Sequence, residues 1–141
     1  MLKDGEPPDS ERAMAQAGPR AAVVLHRAAD EALAGLAPGV TMVSGTRPEM
    51  QGYINLARDF EPKDAPYLQN HRGHLMFVKS EERRFVSAEL ISATSFTASE
   101  AEIKQRIEAL RSAGYTQFTI QLVPGHERAL ADWDRIRRAF A

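Results

Sequence analysis

His71 and His74, three residues apart in His71-Arg72-Gly73-His74, are the side chains here best suited to bind a ligand or move a proton near neutral pH. Zinc can use two histidines at such a spacing. It needs three or four ligands, however, and no Asp/Glu–His helix motif accompanies the pair, so the sequence is read with no metal site. The plain alternative is two structural histidines bonded to nearby backbone. A second constellation is Glu6, Ser10 and Arg12. A helix starting near Ser10 offers backbone N–H groups and Arg12 a planar cation, together what a cofactor phosphate requires. The competing reading has Ser10 merely capping the helix and Arg12 paired with Glu6 or Glu11. A third is the turn Pro124-Gly125-His126-Glu127, where Gly125 permits close backbone approach and His126 can donate a hydrogen bond to a ligand. A tight turn needs no ligand to explain it.

The remaining candidates are weaker. His26 sits in an apolar helical pattern and reads as a satisfied histidine at the core edge, while Trp133 and Phe140 fall at helical spacing and read as core anchors. No Ser-His-Asp order, phosphate-binding P-loop or paired glycosidase carboxylates can be assembled.

The elements that position these residues are clearest from Thr97 onward. Ser99-Glu100-Ala101-Glu102 has the spacing of a capping box, Ile103, Ile107 and Leu110 share one helical face, and Gly114 follows as a stop. Phe118, Ile120 and Leu122 alternate with Thr119 and Gln121, which predicts a strand over 117–123. A closing helix over 127–140 follows the Pro124-Gly125 turn. Upstream, a short polar helix fits Ser10 to Ala17 and an alanine-rich one Pro19 to Leu36, where Pro38-Gly39 breaks it. Thr46-Arg47-Pro48-Glu49 repeats the capping-box spacing before a helix from Pro48 to about Asp59, with Met50, Tyr53, Ile54 and Ala57 as its apolar stripe. Leu75–Val78 is a short strand or a helix end. Glu81-Glu82-Arg83-Arg84 reads as a solvated turn, and Ser87 to Ala93 as one or two helical turns. Helix, strand and helix at the C-terminal end make an α/β unit. Its one strand has unpaired edges on both sides and needs sheet neighbours.

The 141 residues suit a single domain, and 43% hydrophobic with 26% charged residues is ordinary for a globular chain. A formal net charge of -1 gives no basic field for nucleic acid or an anionic membrane. There is no cysteine, which removes disulfides, thiolate metal sites and a cysteine nucleophile. No apolar run approaches the roughly 20 residues of a membrane span. The N-terminal residues lack the apolar core of a signal peptide, so a cytoplasmic location is expected.

An ordered set of segments resembles the later part of luciferase-like flavin-dependent oxidoreductases, the group that includes bacterial luciferase, alkanesulfonate monooxygenase and deazaflavin-dependent reductases. It comprises Asp4-Gly5-Glu6 with Ser10 and Arg12, Ala17-Gly18-Pro19, Leu25-His26-Arg27-Ala28-Ala29, and Tyr67-Leu68 before His71-Arg72-Gly73-His74-Leu75. It continues with Phe96 to Ile103, Ala113-Gly114-Tyr115 and Gln121-Leu122-Val123-Pro124-Gly125. Ala98-Ser99 departs from the Gly-Thr common in that family, a change at a helix entry. The resemblance implies the C-terminal portion of a (β/α)8 TIM barrel, incomplete and mostly helical as it stands. Such a barrel takes roughly 250 residues. Residues 1–141 would then form a single partial domain running from the end of the seventh barrel strand, with 117–123 as the last strand.

The same resemblance implies FMN or a deazaflavin as cofactor, held through Glu6, Ser10, Arg12, Gly125 and His126. It assigns His71 and His74 to the substrate side as hydrogen-bond donors or proton relays acting on a small molecule. The expected partner is the missing N-terminal barrel half or a second copy of the chain, and activity is not expected without it. The alternative is a non-catalytic helical interaction module derived from such a barrel.

Overall fold

The computed structural model describes residues 1–36 and 48–140. Six α-helices are found there: α1 (Glu11–Leu33), α2 (Pro48–Ala57), α3 (Tyr67–Asn70), α4 (Ala88–Thr94), α5 (Glu100–Ser112) and α6 (Ala129–Arg138), with a 3-10 turn at Arg83–Phe85. Helix α1 is the centrepiece, packed against α2 and α4 and touching α3, while α2 leans on the 3-10 turn. Ser10 caps α1 by accepting from the Ala13 N–H. Where the sequence predicts two helices divided at Gly18-Pro19, one continuous helix runs through. A proline inside a helix costs about 3 kcal/mol. The surrounding burial outweighs that cost: Ala21, Leu25 and Ala29 are fully buried, and a Cβ on Gly18 would lie 2.7 Å from Val78 Cγ2. Leu36, expected on the buried face, lies beyond the helix and is 61% exposed.

The main core gathers Met14, Leu25, Met50, Tyr53, Phe60, Leu90 and Ile91 with the small alanines of α1. The stripe Met50, Tyr53 and Ala57 is buried as its spacing requires. The Pro38-Gly39 break and the Thr46 cap fall at positions 37–47, outside the described residues. Ser87 caps α4 through the Leu90 N–H. Ser99 and Glu102 form both halves of the capping box on α5, and Gly114 follows it with a left-handed φ of 94°. A second, smaller core joins Ala98, Ile103 and Ile136, with Met1, Ile107, Trp133 and Phe140 at its rim.

The α/β expectation is corrected here. Among the described residues there is no strand, hence no sheet and no part of a TIM barrel, and the predicted last strand at 117–123 is irregular. From Thr116 to Leu122 the backbone makes no backbone–backbone hydrogen bond among the described residues. A strand exists only through a neighbour that takes its N–H and C=O groups, and the segment from Leu75 to Val78 does not serve, since Leu75 turns left-handed at φ 63°. The alternation of Phe118, Ile120 and Leu122 is present in the chain, but no ladder among the described residues answers it. The closing helix expected over 127–140 is present as the shorter α6.

Leu25, fully buried at the centre of the main core, sets a stability benchmark. Leu25→Ala is expected to lower the unfolding free energy by about 2–5 kcal/mol, measured by urea denaturation followed by circular dichroism.

Candidate functional site

The fold brings together a buried polar centre assembled from four parts of the chain. His26 and Asp30 lie one turn apart on α1, Tyr53 comes from α2, Asn70 ends α3, and the following loop carries His71, His74, Lys79 and Glu82. Glu82, read from sequence as part of a solvated turn, is instead fully buried. A charged run faces water only where nothing nearby can pair with it, and here three donors meet one carboxylate oxygen. Oε2 of Glu82 lies 2.9 Å from His26 Nε2, 3.1 Å from Lys79 Nζ and 3.2 Å from the Tyr53 hydroxyl. Oε1 accepts the Lys79 backbone N–H at 2.8 Å. Burial pushes this carboxyl up, but the bonds from His26 and the Lys79 N–H together pull harder, leaving it below the usual glutamate range.

Lys79 is equally buried and donates to the carbonyls of Asn70 at 2.6 Å and Gln69 at 3.1 Å. Burial, with the nearby Glu82 charge, raises Tyr53 far above its ordinary value, so it stays a neutral phenol. Its hydroxyl also reaches Asn70 Oδ1 at 2.9 Å. The Asn70 amide donates to the His26 carbonyl at 2.9 Å and to Asp30 Oδ1 at 2.7 Å, stitching α3 to α1.

Three imidazoles converge at the edge of this network. His71 Nε2 lies 2.6 Å from Asp30 Oδ2, and His26 Nε2 faces Glu82 at 2.9 Å. His74 Nδ1 stands 3.1 Å from both His26 Nδ1 and His71 Nδ1. The sequence reading counts two histidines and sets metal aside; the fold supplies a third. His26, His71 and His74 each present a ligand nitrogen within 4.8 Å of the others. His74 titrates below its ordinary value, first because of burial and then because of its two histidine neighbours. The turn that aims it is tightly built. Gly73 has φ 72°, a Cβ there would meet the Phe77 ring at 2.4 Å, and Leu75 follows with φ 63°.

The expected cofactor residues lie elsewhere. Glu6, Ser10 and Arg12 do cluster, but with one another. Arg12 grips the Glu6 carboxylate through Nε and Nη2, Ser10 Oγ donates to Glu6 Oε1 at 2.6 Å, and the Lys3 N–H adds a bond at 2.8 Å. The Glu6 side chain occupies the place a phosphate would take, so these residues do not fit a flavin phosphate in this conformation. The Arg12 hydrogen bond brings Glu6 down to about 2. Gly125, at φ 86°, forms a turn closed by Glu127 through the Gly125 N–H. His126 faces a cavity of about 300 Å³ lined also by Gln16, Arg20, Leu75, Phe118 and Trp133. Neither cluster joins the histidine centre.

No family model, curated protein or solved structure gives a significant match to this chain. The site is therefore read from its own geometry.

Sequence reasoning missed His26, Asp30, Asn70, Lys79 and Glu82 as members of one centre. One signal was available: His26 and Asp30 at i and i+4 share a helix face. None marked Glu82, since only tertiary packing distinguishes it from its neighbour Glu81. Removing the Lys79 ammonium leaves the fully buried Glu82 without its lysine counter-ion. Lys79→Met is expected to cost about 3–5 kcal/mol in urea denaturation. At the N-terminal cluster, Arg12→Ala is expected to return the Glu6 pKa from about 2 toward 4.5 in a carboxyl-carbon NMR titration. A depressed carboxylate stabilises the fold above its unfolded pKa and loses that contribution as pH falls through the folded value. The wild type should therefore lose stability between about 4.5 and 2, and the variant less of it.

Proposed function

We propose that the chain is the C-terminal part of a luciferase-like flavin-dependent oxidoreductase or monooxygenase, inactive until a further segment completes it. The ordered resemblance along nearly the whole chain supports this reading. The observation that carries it is the run from Thr116 to Leu122, alternating in sequence yet without a backbone–backbone hydrogen bond among the described residues. Around it Tyr115, Phe118 and Leu130 are 64%, 40% and 52% exposed, and three open cavities border the same stretch. Apolar alternation with no backbone partner among the described residues is what a segment shows when its neighbours come from elsewhere.

FMN or a deazaflavin would supply the redox chemistry in the completed enzyme. With Glu6 filling the Arg12 cradle, the contacts to its phosphate are assigned to the missing segment. The share of this chain is the polar centre around His71 and His74, assigned to the side of a small-molecule substrate.

Fluorescence titration with FMN and with a deazaflavin tests the proposal, using the chain alone and co-expressed with the N-terminal part of a luciferase-like enzyme. Binding is expected only in the co-expressed pair, accompanied by protection of amides 116–122 from hydrogen exchange. Silence in every combination removes the reading. A stable cofactor-free oligomer by light scattering, with the same amides protected, supports the interaction-module alternative instead.

A further inference from the structure

The geometry of the polar centre points to a function that the oxidoreductase reading does not contain. We propose that His26, His71 and His74 bind one divalent transition-metal ion of the zinc class. The inference is independent of any flavin, because it rests on these side chains and their carboxylate partners alone.

The proton positions follow from the neighbours. An ionised carboxylate can only accept, so the ring nitrogen facing it must carry the hydrogen. Glu82 thus fixes the proton of His26 on Nε2, and Asp30 fixes that of His71 on Nε2. In each neutral ring Nδ1 is left with a bare lone pair, and both lone pairs face His74 Nδ1 at 3.1 Å. A single nitrogen, with one proton or one lone pair in its ring plane, cannot make two good hydrogen bonds to these neighbours. The three ligand nitrogens lie within 4.8 Å of one another, and a cation drawn in among them would take up all three lone pairs. Zinc–nitrogen bonds of about 2.0–2.1 Å set tetrahedral ligand nitrogens about 3.3–3.4 Å apart, close to the two separations seen. To accept the ion, His74 need only carry its proton on Nε2.

The surroundings are those of a metal site as well. Histidine ligands usually donate their far N–H to a carboxylate, which fixes the tautomer and strengthens the ligand. Two of the three do so here. Asn70 in turn holds Asp30, while Lys79 and Tyr53 hold Glu82. The all-nitrogen donor set suits zinc, copper, nickel or iron and does not suit magnesium or calcium. Access is open on one side, since the His71 and Asp30 side chains are 39% and 38% exposed. Three protein ligands and a solvent-facing side leave a fourth position for water or a substrate atom.

The test is isothermal titration of the chelator-treated full chain with Zn²⁺, repeated with Co²⁺ while its visible absorption reports coordination geometry. One ion per chain is expected, with Co²⁺ bands of low-symmetry nitrogen coordination. Stoichiometric binding should disappear in His71→Ala and in His74→Ala, both partly exposed positions whose folding circular dichroism verifies. Asp30→Asn should weaken binding by about 10–100-fold, and His126→Ala should leave it unchanged. A folded wild-type chain that takes up neither ion overturns the proposal. So does uptake that survives both His71→Ala and His74→Ala.

Discussion

A carboxylate with no access to water organises this molecule. Glu82 is held by His26, Tyr53, Lys79 and a backbone N–H, and these donors come from α1, α2 and the loop before the 3-10 turn. Moving a charge out of water is costly unless every lone pair finds a donor, so these elements are tied to one relative placement. Hydrophobic packing of Leu25, Tyr53, Leu90 and Ile91 tolerates small shifts. A charge with four partners does not. The result is that the loop from His71 to Glu82, short of regular structure, is nevertheless pinned at both ends.

The two halves of the chain are built to different standards. Around α1 the core is continuous and its polar groups are satisfied, with no orphaned buried side-chain atom among the described residues. Around α5 and α6 the core contains three fully covered residues, Ala98, Ile103 and Ile136. Helix α6 is held largely by Trp133 and Phe140 at its rim and by ion pairs such as Arg135 with Glu100 at 3.2 Å. Exposed pairs of that kind contribute little. The large apolar side chains between the two helices have more surface than this small core can cover. No helix among the described residues is long and apolar enough to cross a membrane.

What could be read from the sequence was local. Capping by Ser99 and Glu102, the stop at Gly114 and the stripe Met50, Tyr53 and Ala57 all depend on residues within a turn or two of one another, and each is found in place. The helix break at Gly18-Pro19 was misread because the preference against an internal proline is small beside the burial of α1. The strand at 117–123 was misread for another reason. Alternation records which faces a segment could present, whereas a strand also needs a neighbour, and no periodicity contains that. The centre at His26, Asp30, Asn70, Lys79 and Glu82 was hidden because its members are up to 56 residues apart. His71 and His74 were visible as a pair, while the partner that gives them meaning lay in what looked like an ordinary apolar helix.

Leu75 sits between the histidine centre and the cavity beside His126. Its backbone bends in the sense usually left to glycine, yet its side chain helps wall the cavity beside Arg20, Phe118 and His126. The residue that follows His74 in the chain is therefore also a wall of the hollow, and a single left-handed backbone position separates the two compartments.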